Sequence, residues 1–194
     1  MILDLIKNGS IITIRNFLNN YKELDSKKES YEYEAVYQPG SLFYGNRFQA
    51  YPCYETSSFS VCDKSMHDSI KEQIETLVDK NIIDFHSKLR LSLSSELEKS
   101  NAFKNKDFGF IHKDDYQFAG VLLFNQSFTG GTSFFEYNVD KIPDITYGAW
   151  PNRLVLYNGF RNHAPCQDFT FEKRYALTLF FNVAWLTNKT MYNI

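Results

Sequence analysis

The feature that most constrains the fold is a change of pattern after Phe108. From there on, short apolar runs alternate with the turn sequences "TGGT", "KIPD", "WPN" and "HAP", and helical periodicity is absent. Short apolar runs bounded by Gly, Pro, Asn and Asp are typical of β-strands. Regular strand spacing favours a barrel or a two-sheet jelly roll. The predicted strands are 108–114, 119–125, 132–137, 153–157 and 174–183.

The first half of the chain mixes helix and strand. The stretch "SIITIRNFLNNYKELDS" predicts a strand and then a short helix. Apolar residues recur at helical spacing from Ser65 to about Lys80, with Asp63 or Ser65 available as the N-cap. "KLRLSLSSE" alternates with period two, which predicts a half-buried strand, and His86 is predicted to lie in a connector before it. The expected fold is mainly β (α+β), with N-terminal helices that support a jelly roll.

Length and composition narrow the protein class. A chain of 194 residues is long enough for one sizeable core. We therefore expect one domain, with support in residues 1–100 and the β core in 101–194. The net charge of −2 disfavours nucleic acid as a partner. No run approaches 18 apolar residues, and the three cysteines lack metal-type spacing, so we expect reduced thiols, a cytoplasmic location and no membrane association.

The histidines are few enough to be sorted individually. The chain has 4. His67 is expected on the polar side of the predicted helix, His86 in the connector, and His112 begins the triplet "HKD". Side chains at i and i+2 of a strand share a face, so Asp114 accompanies His112 and Asp115 does not. Two such groups are part of a two-histidine, one-carboxylate iron site. His163 follows the strand "RLVLY" and is a candidate third ligand, although an ordinary loop histidine is the simpler interpretation.

An arginine opens the last apolar strand, "RYALTLFFNV". A buried guanidinium is costly unless an anion pairs with it, and a ligand carboxylate is one such anion. Alternation places Arg174, Ala176 and Thr178 on one face. The alternative is an arginine at the strand edge that reaches solvent or pairs with Glu172, with Thr178 an ordinary strand residue.

These motifs occur together in the order found in one family. From about Phe108 onward, the chain resembles the iron(II)- and 2-oxoglutarate-dependent dioxygenases, most closely the prolyl 4-hydroxylase type. The motifs that carry the resemblance are "HKD", "FNQSFTGGTSFF", "NRLVLYNGFRNH" and "RYALTLFF". The resemblance implies a double-stranded β-helix, with iron(II) bound by His112, Asp114 and His163. It also implies that Arg174 holds the distal carboxylate of 2-oxoglutarate, that Thr178 is a nearby hydroxyl and that O2 is consumed.

Two positions depart from the family pattern. Leu123 stands where some prolyl hydroxylases have a tyrosine that helps to hold the co-substrate, and Ala176 stands where other branches have a serine. The residue that completes the co-substrate site is therefore not identified by the sequence.

The resemblance implies an enzyme that hydroxylates a C–H bond, with a prolyl or other residue of a peptide or protein as the favoured substrate and a small molecule as another. The aromatic stretch "YQPGSLFYGNRFQAYP" would form one wall of a peptide groove or, equally, pack in the core. Two alternatives remain open: a nucleobase-modifying oxygenase with the same iron site, and a jelly-roll binding module without catalysis.

Overall fold

The computed structural model of the protein describes residues 2–36, 53–99, 111–136, 142–166 and 171–184. Its helices in these ranges are α1 (Ile2–Lys7), α2 (Tyr21–Lys27), α3 (Phe59–Cys62), α4 (Lys64–Val78) and α5 (Ser94–Lys99). Its strands are β1 (Ile12–Arg15), β2 (Glu34–Ala35), β3 (Tyr54–Glu55), β4 (Ile82–Leu93), β5 (Phe118–Leu123), β6 (Ser127–Phe135), β7 (Ile145–Ala149), β8 (Arg153–Asn158), β9 (Asn162–Cys166) and β10 (Lys173–Val183). Within the described ranges, no helix has the length and hydrophobicity of a membrane-spanning segment.

The strands form two antiparallel sheets. The order in the larger sheet is β1-β8-β5-β10-β4-β3-β2, and the order in the smaller sheet is β7-β6-β9. Phe134 of the smaller sheet packs against Ala119, Val155 and Tyr157 of the larger sheet, so the two sheets face each other. This arrangement confirms the predicted mainly β jelly roll.

The larger sheet separates the main core from the interior between the sheets. Along β10, odd-numbered residues from Tyr175 to Phe181 pack against the helices in the main hydrophobic core. Even-numbered residues from Arg174 to Phe180 line a cavity on the opposite face. Because successive side chains of a strand point to opposite faces, one strand supplies both the core and the cavity.

Helix α4 confirms the most regular helical pattern in the sequence. Met66, Ile70 and Ile74 are buried along one side of it. The Asp63 carboxylate accepts a hydrogen bond from the Met66 N–H at 3.0 Å, so Asp63 and not Ser65 is the N-cap. The helix ends at Asp79, which has a left-handed conformation. This helix covers the outer face of the larger sheet.

Strand β4 is longer than predicted, and the expected connector around His86 is wrong. The strand begins at Ile82, so His86 lies within it and pairs with Phe180. A register shift occurs opposite Asn182 and Val183. The shift separates the buried Ile82 and Phe85 by three residues, which hides the period of two in the sequence.

The smaller sheet also differs from the prediction. Strand β6 begins at Ser127, and β7 and β9 were not predicted. Strand β9 contains Pro165, which indicated a turn, but β9 lies at the end of its sheet, where a proline is tolerated. Of the predicted strand 108–114, residues 108–110 lie outside the described ranges, and in the rest only His112 pairs, as a single bridge to His163.

Candidate metal site

The backbone brings His112, Asp114 and His163 together. The His112 N–H donates to the His163 carbonyl and the His163 N–H to the His112 carbonyl, each at 2.9 Å. The Asp114 N–H donates to the carbonyl of Gly159 in the turn between β8 and β9, at 2.8 Å. Main-chain pairing therefore fixes all three residues before any ligand binds.

The side chains of these residues converge on one point. Their potential ligand atoms all lie within 4.8 Å of one another. His163 Nε2 lies 3.4 Å from Asp114 Oδ2, and His112 Nε2 lies 3.9 Å from Asp114 Oδ1. Asp115 is exposed and is not part of the cluster. The structure thus has the grouping that the i, i+2 argument predicted, with His163 in strand β9 instead of a loop.

The hydrogen bonds of His163 select its tautomer. Nδ1 lies 2.9 Å from the carbonyl oxygen of Arg161. A carbonyl can only accept, so Nδ1 carries the proton and Nε2 directs a lone pair toward Asp114 and His112. Burial lowers the pKa of His163 to about 4. The imidazole is therefore neutral at physiological pH, as a metal ligand must be.

Burial has the opposite effect on the carboxyl group. It raises the pKa of Asp114, and the positive charges of His112 and Arg90 oppose this shift. The Asp114 side chain is only 11% exposed, so the desolvation of its ionised form outweighs the favourable effect of these charges. Two imidazoles and one carboxylate in this arrangement suit iron(II). The chemistry of the donor set therefore fits a divalent metal ion.

A cavity of about 290 Å³ extends from this cluster between the two sheets. Arg174, Ala176 and Thr178 all line it, as their alternation predicted. Arg174 is only 8% exposed, and its Nη2 donates to the carbonyl of Gly131 at 2.9 Å. The Thr178 hydroxyl donates to the carbonyl of Lys88 at 3.4 Å. The cavity thus has the three metal-binding candidates at one side and a buried cation at another.

In the pair "GG" of strand β6, the second residue, Gly131, must be glycine for steric reasons. Gly131 has a φ of +143°, and a Cβ at this residue would lie 1.9 Å from the Tyr147 carbonyl oxygen. No other residue fits here. The close approach of β6 and β7 at Gly131 positions the Gly131 carbonyl, which accepts the hydrogen bond from Arg174.

The other predicted features have mixed outcomes. His67 contacts the Ser87 hydroxyl at 3.4 Å, and His86 contacts Asp84 at 3.0 Å on the surface, so neither belongs to the cluster. The aromatic stretch 37–52, predicted to form a groove wall or core, lies outside the described residues. Leu123 is buried and directly opposite Ala176 in the sheet.

Sequence reasoning missed Tyr157. Its hydroxyl lies 3.2 Å from His163 Nε2 and 3.5 Å from Asp114 Oδ2. The side chain is almost completely buried, and burial raises its pKa well above the ordinary value, so it stays a neutral hydrogen-bonding group. The sequence signal that could have identified Tyr157 is its position two residues after Val155, which places both side chains on the interior face of β8.

Sequence reasoning also missed Arg90 and Glu55. The alternation of β4 with leucines indicated a polar face in solvent, but Arg90 and Ser92 line the cavity. Glu55 of β3 is the direct sheet partner of Arg90 and contacts it across the strands. Nothing in the local sequence distinguishes a polar face on a cavity from one in solvent.

Comparisons with solved structures agree on the fold. The chain is similar to a Pseudomonas putida prolyl-4-hydroxylase, with a TM-score of 0.57, 14% identity, and coverage of 94% of this chain and 97% of that one. It is also similar to a Trichoplax adhaerens prolyl hydroxylase in complex with a hypoxia inducible factor peptide fragment, with a TM-score of 0.63, 13% identity, and coverage of 93% and 87%.

A third similar structure is the non-heme alpha-ketoglutarate-dependent epimerase SnoN from nogalamycin biosynthesis, with a TM-score of 0.61, 13% identity, and coverage of 94% and 83%. No protein-family model matches the chain, and no curated protein matches it in sequence. The structural neighbours therefore establish the jelly-roll fold that 2-oxoglutarate- and iron(II)-dependent oxygenases use. The neighbours also catalyse different reactions, since they include both hydroxylases and an epimerase.

Proposed function

We propose that this protein is an iron(II)- and 2-oxoglutarate-dependent oxygenase that hydroxylates a C–H bond in a prolyl or other residue of a peptide or protein. The observation that carries the proposal is the convergence of His112, Asp114 and His163 in a cavity that also contains the buried Arg174. The fold shared with known oxygenases supports it. The peptide in the Trichoplax structure supports the choice of a peptide substrate.

In this proposal, each residue has a distinct role. His112, Asp114 and His163 hold the iron, and Arg174 pairs with the distal carboxylate of 2-oxoglutarate through charge-assisted hydrogen bonds. Thr178 lies on the same cavity face as Arg174, toward Lys88, and contributes a hydroxyl. When bound, iron, 2-oxoglutarate and O2 supply the oxidation that converts C–H to C–OH, with succinate and carbon dioxide as co-products.

The protein itself contributes position and exclusion of water. The main-chain pairing of His112 with His163 holds the two imidazoles in place, and the Arg161 carbonyl keeps the His163 lone pair directed inward. Apolar residues such as Val121 and Phe180 line the remaining cavity wall and limit water in it. The cytoplasmic location remains a prediction, to which the three free cysteines lend support.

Anaerobic addition of iron(II) and 2-oxoglutarate tests the proposal. We expect a visible charge-transfer band from the chelate in the native protein, and its loss in His112→Ala and Asp114→Ala. Asp115→Ala is the matched control, because Asp115 is exposed beside the site, and it should keep the band. Arg174→Gln should require much more 2-oxoglutarate for the same signal.

Absence of the band in correctly folded native protein would instead support a binding module without catalysis. Mass spectrometry of peptides, free amino acids and nucleosides after incubation, with succinate release as the control, then identifies the substrate. Hydroxylation of nucleosides alone would favour the nucleobase-modifying alternative.

A further inference from the structure

The cavity contains a second arginine, Arg90, that the proposed roles above leave without a function. Arg90 lies on β4 directly opposite Ala176, two residue pairs along the sheet from Arg174, which lies opposite Ser92. Both arginines line the same cavity. The cavity therefore has two cationic groups, and the co-substrate needs only one of them.

The contacts of Arg90 orient its guanidinium and leave one edge available. Its Nε contacts Glu55 Oε1 at 2.5 Å, and Lys88 Nζ contacts the other oxygen, Oε2, at 3.2 Å. Among the described residues, the terminal Nη1 and Nη2 atoms of Arg90 donate no hydrogen bond. Those two atoms form the flat edge that receives a carboxylate in a bidentate pair.

The two arginines differ in depth. Arg174 is 8% exposed and donates to the Gly131 carbonyl, whereas the Arg90 side chain is 37% exposed. Cys53 and Val36, next to strands β3 and β2, line the cavity on the side of Arg90. A co-substrate at Arg174 therefore occupies a more buried part of the cavity than a molecule at Arg90.

The balance of formal charges also favours one anion at Arg174 and a second anion at Arg90. With a divalent ion, Asp114, Arg174 and dianionic 2-oxoglutarate in place, the formal charges of the proposed metal site cancel. Lys88, Glu55 and Arg90 together then retain one positive charge beside the cavity. A single negative charge on an incoming molecule would neutralise this excess.

We propose that Arg90 binds the primary substrate through a carboxylate group of that substrate, supplied either by a small organic acid or by an acidic side chain of a peptide. The inference rests on the proposed function above, because it assumes that the co-substrate occupies Arg174. Glu55 is a positioning residue that holds the guanidinium with its free edge toward the cavity.

The experiment uses the full chain loaded with cobalt(II) and saturating 2-oxoglutarate, so that Arg174 and the metal site already hold the co-substrate. Propionate is the probe, propionamide is its uncharged counterpart, and paramagnetic broadening of their methyl protons by cobalt reports binding near the metal. We expect saturable broadening of propionate and little of propionamide. Arg90→Gln should weaken propionate binding roughly tenfold or more, since a bidentate charge-assisted contact is lost.

Two further variants separate recognition from folding. Arg90→Lys keeps the charge but not the bidentate edge and should give an intermediate loss. Lys88→Gln removes the excess positive charge but keeps the bidentate edge of Arg90, so it should weaken propionate binding less than Arg90→Gln does. End-blocked Gly-Glu-Gly and Gly-Gln-Gly, measured in the same way, distinguish a peptide source from a free acid by which carboxylate binds more tightly.

Equal binding of propionate and propionamide, or unaltered binding in Arg90→Gln, would overturn the inference. So would a loss of 2-oxoglutarate affinity in Arg90→Gln as large as that in Arg174→Gln, because Arg90 would then be a second anchor for the co-substrate. Failure of cobalt and 2-oxoglutarate to bind at all would contradict the proposed function instead. In that case, propionate binding to the metal-free Arg174→Gln protein, detected by saturation-transfer NMR, still decides whether Arg90 is an anion site.

Discussion

At the residue scale, Tyr157 is the neighbour that touches two of the three proposed ligands. Its hydroxyl is within hydrogen-bond distance of His163 and at the limit of that distance from Asp114. Once a metal ion takes the His163 lone pair, the hydroxyl proton can be donated to the Asp114 carboxylate. Hydrogen bonds of this kind hold ligand side chains in position and commonly strengthen metal binding.

Tyr157→Phe should therefore weaken cobalt(II) binding roughly three- to tenfold, the loss expected for one hydrogen bond, while the ring still fills its place in the interior. Titration followed by the visible cobalt spectrum measures the affinity. Tyr147→Phe is the matched control, because Tyr147 packs edge-on against the same Phe134 ring. Equal effects of the two substitutions would mean that Tyr157 acts only through packing.

The sequence predicted the residues of this site that a local pattern or the family resemblance indicates, and it missed three residues that neither indicates. His112 and Asp114 share a face because they are two residues apart, and Asp115 points elsewhere, so the prediction needed no tertiary information. Tyr157, Arg90 and Glu55 join the site only through pairing of strands far apart in the chain. Their polar groups look the same in sequence whether they face a cavity or solvent.

At the element scale, the turn between β8 and β9 is the feature that connects the fold to the site. The Gly159 carbonyl in this turn accepts a hydrogen bond from the Asp114 N–H, and strand β9, which follows the turn, contains His163. A Cβ on residue 159 would lie 2.1 Å from the Tyr116 carbonyl oxygen and 3.5 Å from Asp114 Cβ. The turn can approach the Asp114 segment this closely only because residue 159 has no side chain.

Gly159→Ala should lower the free energy of unfolding by about 1–3 kcal/mol, as overpacking does, because backbone atoms must move apart. It should also weaken metal binding, since Asp114 moves with that backbone. Urea denaturation measures the first effect and cobalt titration the second. Gly120→Ala is the control: its Cβ would meet the end of the Leu154 side chain at 2.9 Å, which can rotate, so the loss should be smaller.

The strands show where the sequence predicted elements well and where it did not. The alternation of β10 and the capped helix α4 are local patterns, and both were predicted correctly. Strand β9 was missed because Pro165 normally ends a strand, and only its place at the sheet end makes the proline acceptable. Such a position depends on the assembled sheet and is not encoded in the neighbouring residues.

At the scale of the whole molecule, the main hydrophobic core joins both halves of the chain. It includes Leu3 and Ile6 of α1, Ile70 of α4, and Leu177 and Val183 of β10. Neither the N-terminal segment nor the β core can therefore bury its apolar surface alone. This packing leads us to expect that the predicted single domain unfolds as one cooperative unit.

The cysteines allow this expectation to be tested at separate places. Cys53 precedes β3 and Cys166 ends β9, and both are buried, whereas Cys62 is exposed. Burial also raises the pKa of the Cys53 thiol to about 11, which further suppresses the reactive thiolate. In native protein, only Cys62 should react readily with iodoacetamide, as peptide mass spectrometry can measure.

Along a urea gradient, Cys53 and Cys166 should become reactive at the same urea concentration, and that concentration should match the loss of the circular dichroism signal. The reason is that the main core and the cluster around Phe134 of the smaller sheet both pack on the larger sheet, so loss of the larger sheet exposes both. Cys62 provides the internal control, because its reactivity should change little across the transition. If Cys53 reacts at clearly lower urea than Cys166, the N-terminal part unfolds independently, and the chain comprises two stability units instead of one.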